Sequence, residues 1–138
     1  YILPNGAQCF IDYAHNPESF QAVLSTLSEL TSHLIVVFGA GGGRDKLKRP
    51  IMGSIAATIA DIVIVTSDNP RWENPADIAA DICADIPAHL EHKIFQELDR
   101  KKAIEYAYAV SNSGSIIAVL GKGPDEYQII GKIKHYFS

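Results

Sequence analysis

The segment Asp68-Asn69-Pro70-Arg71 carries the residue types best suited to holding a charged small molecule. It directly follows Ile62–Val65, an apolar, β-branched run that predicts a buried strand. Pro70 restricts the backbone, Asn69 can both donate and accept hydrogen bonds, and the planar guanidinium of Arg71 suits a carboxylate. These properties predict a site for the charged head of an amino acid. The segment alone leaves open the alternative of a surface turn with a solvated arginine.

Residues 39–44 form a glycine-rich segment after a second predicted strand, Leu34–Phe38. Small residues allow backbone N–H groups to approach an anion closely. The dinucleotide-binding fingerprint, however, requires glycine where Arg44 stands, and the chain contains no Walker A sequence. The segment therefore argues against a nicotinamide cofactor. We expect Arg44 to lie at the same sheet edge as Arg71, where two guanidinium groups would suit an anionic substrate.

Two more polar segments follow predicted strands. In the first, Asp12 could accept hydrogen bonds from a ribose or orient His15, which would then lie near phosphate; the alternative is a histidine that only packs at a helix start. In the second, Gly121 would let the backbone approach a ligand, and Asp125 or Glu126 could accept from an ammonium group. The alternative for this second segment is a simple turn.

Strand-like and helix-like segments alternate along the chain. The predicted strands are residues 8–12, 34–38, 62–65, 92–96 and 115–120, and the predicted helices begin at Asn16-Pro17, Pro50, Asn74-Pro75 and Asp99. Asparagine followed by proline is typical of a helix start. The tail from Tyr127 to Phe137 predicts a hairpin that turns near Gly131.

This alternation favours an α/β fold, with a Rossmann-like, mainly parallel sheet, helices on both faces and a C-terminal hairpin. Ligands of such folds bind beyond the carboxyl ends of the strands. The segments that leave four of the strands hold most of the candidate binding groups. We therefore expect residues 12–15, 39–44, 68–71 and 121–125 to meet at one edge of the sheet.

The segment around Pro50 predicts a helix with a basic entrance. We expect its buried face to consist of apolar residues at helical spacing: Ile51, Ile55, Ala56 and Ile59. Lys46 and Lys48 precede Pro50, and for both we expect a solvated position.

Length and composition predict one globular domain. The chain has 138 residues, of which 47% are hydrophobic, and a net charge of −4, which argues against general nucleic-acid binding. No apolar run is long enough to span a bilayer, and no signal peptide is recognisable. The missing initiator methionine suggests a piece of a longer protein. Cys9 and Cys83 form no framework and no metal-ligand pair, which fits the cytoplasm.

Taken together, these segments resemble the C-terminal domain of the Mur ligases, in particular those that add meso-diaminopimelate. The resemblance rests on residues 12–17, 38–50, 68–71, 99–100 and 121–123. It implies that meso-diaminopimelate is bound by Arg44, Asp68, Asn69, Pro70, Arg71, Gly121 and Asp125, and that Asp12 and His15 approach ATP. It assigns no catalytic residue and no metal ligand to this domain. The family usually has Gly-Lys-Gly-His-Glu, where this chain has Pro124 for the histidine and Asp125 for the glutamate.

The resemblance also implies a reaction. An ATP-dependent ligase would join meso-diaminopimelate to UDP-N-acetylmuramoyl-L-alanyl-D-glutamate through an acyl phosphate, in peptidoglycan biosynthesis. ATP and Mg²⁺ would be held mainly by a central domain, and the UDP-linked precursor by an N-terminal domain, neither of which is in this chain. We therefore expect residues 1–138 to be a single amino-acid-binding domain that is inactive alone.

Two alternatives remain at this point. Folylpolyglutamate synthetases share an Asp-x-Ala-His-Asn-Pro segment that residues 12–17 match, although residues 68–71 argue against this group. A ligand-binding module without catalysis is the other alternative. A phosphate-binding loop upstream in the parent gene would favour the ligase over the module.

Overall fold

The computed structural model describes residues 1–43, 46–121 and 124–137, without the side chains of residues 124, 125 and 137. Five strands and five α-helices alternate in this part of the chain. Their bounds are β1 Gln8–Asp12, α1 Pro17–Ser28, β2 Leu34–Phe38, α2 Lys48–Ile59, β3 Ile62–Val65, α3 Pro75–Cys83, β4 Ile94–Gln96, α4 Arg100–Ala109, β5 Ile116–Leu120 and α5 Pro124–Phe137. A 3-10 turn, Ala88–Lys93, precedes β4. None of the helices in the described ranges is long and apolar enough to cross a membrane.

The strands form one sheet in the order β1-β5-β2-β3-β4, and every neighbouring pair is parallel. The last residues of the strands lie in register across the sheet: Asp12 beside Leu120, Leu120 beside Phe38, Phe38 beside Val65, and Val65 beside Gln96. All five strands therefore end at one level. The predicted parallel α/β sheet is confirmed.

Apolar residues cover both faces of the sheet. One core cluster joins α1, α2 and α3 to the sheet through residues such as Phe20, Met52 and Ile82. The other joins α4 and α5 through residues such as Ile104 and Ile130. The central strands β2 and β5 are buried along their whole length, as expected for strands covered on both sides. The predicted helices on both faces are confirmed.

Side-chain caps fix the starts of three helices, as predicted from the sequence. Asn16 accepts a hydrogen bond from the Ser19 N–H at 2.9 Å, and Asn74 accepts one from the Ala76 N–H at 2.9 Å. Asp99 accepts one from the Lys102 N–H at 3.1 Å. Each cap satisfies a backbone donor that has no partner within its own helix.

The predicted C-terminal hairpin is wrong, because residues 124–137 form the helix α5. Glu126, Ile130 and Ile133 are spaced four and three apart and all are buried, which is the pattern of one helix face. Gly131 does not break this helix, because a single glycine in a helix interior costs only about 1 kcal/mol and the apolar spacing continues through it.

The helix at Pro50 exists, but it begins two residues earlier, at Lys48, and turns a different face inward. Ala56 is buried as predicted, whereas Ile51 is 49% exposed and Met52 only 5% exposed. Ile55 and Ile59 lie at the margin of the core. Close packing against α3 sets this face, because a Cβ on Gly53 would overlap the Ile82 carbonyl.

Candidate functional site

A groove of about 720 Å³ lies beyond the carboxyl ends of the strands. It brings together residues that are far apart in sequence but were predicted to meet: His15, Asp68, Asn69, Arg71 and Gly121. The level ends of β1, β5, β2 and β3 explain why, because the segments that leave these strands start side by side. The predicted meeting of these segments is confirmed for the described residues.

The remaining predicted residues either connect the segments or lie outside the described part of the chain. Asp12 accepts a hydrogen bond from the Ala14 N–H at 2.9 Å through its carboxylate and from the Gly121 N–H at 3.0 Å through its carbonyl, so it ties two of the segments together. Arg44 lies outside the described residues, and so does the side chain of Asp125. Their roles in binding stay predictions, as does the convergence of Arg44 with Arg71.

Residues 68–72, here called the proline loop, form a tight turn. The Glu73 N–H donates to the Pro70 carbonyl at 2.9 Å, and the Arg71 N–H donates to the Asn69 side chain at 3.3 Å. Arg71 has a φ of 51°, in the left-handed region that residues other than glycine seldom adopt. Its guanidinium donates to the carbonyl of Gly42. The alternative of a surface turn is therefore correct for the backbone, which does form a turn. The arginine side chain, however, is held at the groove.

Residues 39–43, here called the glycine loop, pack backbone to backbone against the proline loop. A Cβ on Gly42 would overlap the Pro70 carbonyl, and a Cβ on Gly39 would overlap the Thr66 carbonyl. The Gly42 N–H donates to the Asn69 carbonyl at 2.8 Å. These glycines therefore serve close packing of two loops, a reason that the sequence pattern alone did not reveal.

A buried ion pair connects the two loops. Arg49, on the first turn of α2, is 2% exposed and donates two hydrogen bonds to Glu73, at 3.1 and 2.8 Å. It also donates to the Gly41 carbonyl at 3.2 Å and to Asp81 on α3 at 2.9 Å. Glu73 in turn accepts from the Gly43 N–H at 2.6 Å. Sequence reasoning missed both members of this pair; the one available signal was an acidic residue two positions after Arg71.

The pair is charged over the ordinary pH range. Hydrogen bonds from Arg49, and then from the Gly43 N–H, lower the pKa of Glu73 from 4.5 to about 2. The Glu73 carboxylate raises the pKa of Arg49 in return. Lys46 lies 3.5 Å from Glu73 with its side chain 68% exposed, so it adds a weak surface contact, in line with its predicted solvated position.

A second arginine fixes the other end of the proline loop. Arg100 begins α4, donates to the Ser67 carbonyl at 3.1 Å and lies 4.0 Å from the Asp68 carboxylate. It also pairs with Glu126, which is fully buried on the inner face of α5. The burial of Glu126 argues against the idea that it replaces Asp125 in contacting a substrate ammonium group. Sequence reasoning noted Arg100 only as part of a resemblance and gave it no role.

The groove is suited to binding and orienting an anionic ligand. The exposed side chains of Arg71 and Lys48 both line it, so Lys48 is solvated as predicted and also adds positive charge to the groove. Within the described ranges, no group of three or more histidine, cysteine, aspartate or glutamate side chains is placed to hold a metal ion. What this arrangement can contribute to a reaction is the positioning of a substrate.

Comparison with known proteins adds the family. Residues 2–123 match the sequence model of the family described as "Mur ligase, glutamate ligase domain". The chain belongs to this family. The resemblance inferred from the sequence is therefore confirmed, and the chain is called the Mur ligase domain from here on.

Two similar proteins carry the same name. The Mur ligase domain is 46% identical over 135 residues to the UDP-N-acetylmuramoyl-L-alanyl-D-glutamate–2,6-diaminopimelate ligase of Caulobacter vibrioides, covering 97% of the domain and 27% of that protein. It is 47% identical over 135 residues to the protein of the same name from Brucella melitensis, with the same coverage. The domain thus spans about a quarter of the length of these curated relatives.

Solved structures agree with the fold. A structure described as UDP-N-acetylmuramoyl-L-alanyl-D-glutamate–2,6-diaminopimelate ligase superimposes with a TM-score of 0.84 and 34% identity, covering 94% of the domain and 30% of that chain. Mycobacterium tuberculosis folylpolyglutamate synthase complexed with ADP gives a TM-score of 0.60 at 20% identity, covering 94% of the domain and 30% of that chain. At this identity the second likeness shows a shared fold alone.

Proposed function

We propose that this Mur ligase domain is the amino-acid-binding part of an ATP-dependent ligase. The ligase adds meso-diaminopimelate to UDP-N-acetylmuramoyl-L-alanyl-D-glutamate in peptidoglycan biosynthesis. The observation that carries the proposal is the proline loop, which lines the groove with Asp68, Asn69 and Arg71 at the carboxyl ends of the strands. The names of two relatives that are 46% and 47% identical support the choice of substrate.

The proposed selectivity follows from the chemistry of the groove. Meso-diaminopimelate carries a second carboxylate, which lysine lacks, and a guanidinium binds a carboxylate through two parallel hydrogen bonds. Arg71 lines the groove and uses one of its terminal nitrogens for the Gly42 carbonyl, which fixes the direction of the remaining donors. Asn69 offers a donor and an acceptor beside it, and Arg44 would add a second guanidinium. Asp125 would accept from the substrate ammonium group.

The reaction would be completed by groups outside this domain. When bound, ATP would supply a phosphoryl group to the D-glutamyl carboxylate, with ADP as the leaving group. The amine of meso-diaminopimelate would then attack this acyl phosphate, and the amide would form as phosphate and a proton leave. His15 lines the groove and would approach the nucleotide, while Asp12 would hold the adjoining segments in place. As the family resemblance implies, Mg²⁺ would be held mainly by the central domain.

Partners and location follow from the same proposal. The domain would act together with an N-terminal UDP-binding domain and a central ATP-binding domain of its parent protein. We place the reaction in the cytoplasm, which fits the two free thiols, Cys9 and Cys83.

The test is release of phosphate by the full-length parent protein, supplied with ATP, Mg²⁺ and the UDP-linked dipeptide precursor. We expect phosphate release that depends on meso-diaminopimelate and is much slower with L-lysine at the same concentration. Equal turnover with the two amino acids would overturn the proposed substrate.

A further inference from the structure

We propose that the ion pair between Arg49 and Glu73 is a positioning device for the substrate arginine. It locks the proline loop onto the glycine loop, so that Arg71 is already in place when the amino acid arrives. This inference rests on the proposed function and adds two positioning residues to it. Neither residue needs to touch the substrate for the device to act.

The contacts of the pair join the two loops directly. Glu73 closes the turn of the proline loop, and its carboxylate accepts from both the Arg49 guanidinium at 2.8 Å and the Gly43 N–H at 2.6 Å. Arg49 donates to the Gly41 carbonyl at 3.2 Å. The pair therefore grips the glycine loop on both sides of Gly42.

Gly42 is the residue on which the Arg71 side chain depends. Its carbonyl accepts the hydrogen bond from the Arg71 guanidinium, and its N–H donates to the Asn69 carbonyl at 2.8 Å. Because Gly41 and Gly43 are both held by the ion pair, the position of Gly42 is fixed by it as well. Separation of the loops would remove the contact that directs Arg71 into the groove.

The backbone of Arg71 adds a reason for such a device. A left-handed φ of 51° is unfavourable for an arginine, so the turn needs outside contacts to keep this conformation. The ion pair is firmly anchored, because Arg49 is buried at 2% exposure on the first turn of α2. Pre-formed binding groups raise affinity because no ordering cost is left for the moment of binding.

The experiment compares two variants that each remove one carboxylate charge from the same guanidinium. Glu73→Gln weakens the contact with Arg49 and the Gly43 N–H that joins the loops, whereas Asp81→Asn weakens a contact from α3, which belongs to neither loop. Both are made in the full-length ligase. KM for meso-diaminopimelate, KM for ATP and kcat are measured for each variant, together with the unfolding temperature.

We expect Glu73→Gln to raise KM for meso-diaminopimelate by about tenfold or more, since small displacements of a binding group have large effects. KM for ATP should change by less than about twofold, and Asp81→Asn should leave both KM values within that range. Arg49→Lys keeps the buried charge but loses the pair of hydrogen bonds to Glu73, so it should raise KM for meso-diaminopimelate as Glu73→Gln does. If Glu73→Gln does not fold, Arg49→Lys tests the inference in its place.

Three results would overturn the inference. The first is an unchanged KM for meso-diaminopimelate in a folded Glu73→Gln enzyme that has wild-type substrate preference. The second is an equal rise in the KM values for meso-diaminopimelate and ATP, and the third is the same rise in Asp81→Asn; either of these would indicate a general packing role. Failure of the proposed function is recognised separately, because wild-type enzyme would then prefer another amino acid, and the same comparison is made with that amino acid.

Discussion

Arg71 combines a left-handed backbone with a guanidinium that donates to the Gly42 carbonyl at the groove. Loss of a charge-assisted hydrogen bond to a substrate carboxylate costs about 1.5 to 3 kcal/mol, which is about a 10- to 150-fold change in an equilibrium. For Arg71→Ala we expect kcat/KM for meso-diaminopimelate to fall by about that factor in the full-length ligase. Steady-state kinetics with meso-diaminopimelate and L-lysine measure the effect, and an unchanged ratio between the two amino acids would contradict it.

Arg49 is the residue whose removal should most affect folding. Removing one partner of a buried ion pair costs about 3 kcal/mol, because the remaining charge loses its compensation. We expect Arg49→Ala to lower the free energy of unfolding by about this amount, measured by chemical denaturation. Lys46→Ala is the control, since Lys46 contacts the same Glu73 from an exposed position, and its removal should cost less than about 1 kcal/mol.

At the scale of elements, two helices test the role of glycine in opposite directions. A Cβ on Gly53 of α2 would overlap the Ile82 carbonyl of α3, whereas a Cβ on Gly131 of α5 would meet nothing within 4 Å. We expect Gly53→Ala to destabilise the fold by about 2 kcal/mol through overpacking. Gly131→Ala should stabilise it by about 0.5 to 1 kcal/mol through helix propensity. Denaturation midpoints measure both, and changes of the same sign would contradict this account.

The contribution of Glu73 to the free energy of unfolding should depend on pH. The folded pKa of Glu73 is about 2 against an ordinary value of 4.5, so its contribution to stability is complete above 4.5 and is lost as the pH falls toward 2. The difference in free energy of unfolding between wild type and Glu73→Gln should therefore be constant near neutral pH and shrink across that acid range. Denaturation curves at a series of pH values measure it; a difference that did not change in acid would argue against the assignment.

At the scale of the whole molecule, the domain spans about a quarter of its curated relatives. The proposed function gives its groove the binding of the amino acid and leaves ATP and Mg²⁺ mainly to a central domain. We expect the 138-residue chain to release no phosphate from ATP by itself, with or without meso-diaminopimelate. A colorimetric phosphate assay on the purified chain measures this, with the full-length protein as the positive control. Turnover by the chain alone would contradict the division of labour between domains.

The sequence was sufficient for the sheet and for the meeting of its polar segments. Continuous apolar strands such as Leu34–Phe38 are characteristic of a parallel sheet buried on both faces, and this topology alone brings His15, Asn69 and Arg71 together. Local caps such as Asn16 were equally readable, because a cap depends on neighbours in sequence.

The contacts between loops were not predictable from sequence in this way. The roles of Arg49 and Gly42 depend on residues about 24 and 28 positions away along the chain, and no local pattern reports such a pairing. The hairpin prediction is wrong for a local reason. Glycine is typical of turns, but Glu126, Ile130 and Ile133 have helical spacing on both sides of Gly131.

The five strands end level with one another, from Asp12 at one side to Gln96 at the other. The loops that follow the strands therefore all leave the sheet at the same level. An exchange in the glycine loop or the proline loop must therefore keep the contacts between them, in particular the pair of Arg49 and Glu73. Substrate preference can change most freely at groove residues that take no part in this packing, because the paired strands below them stay as they are.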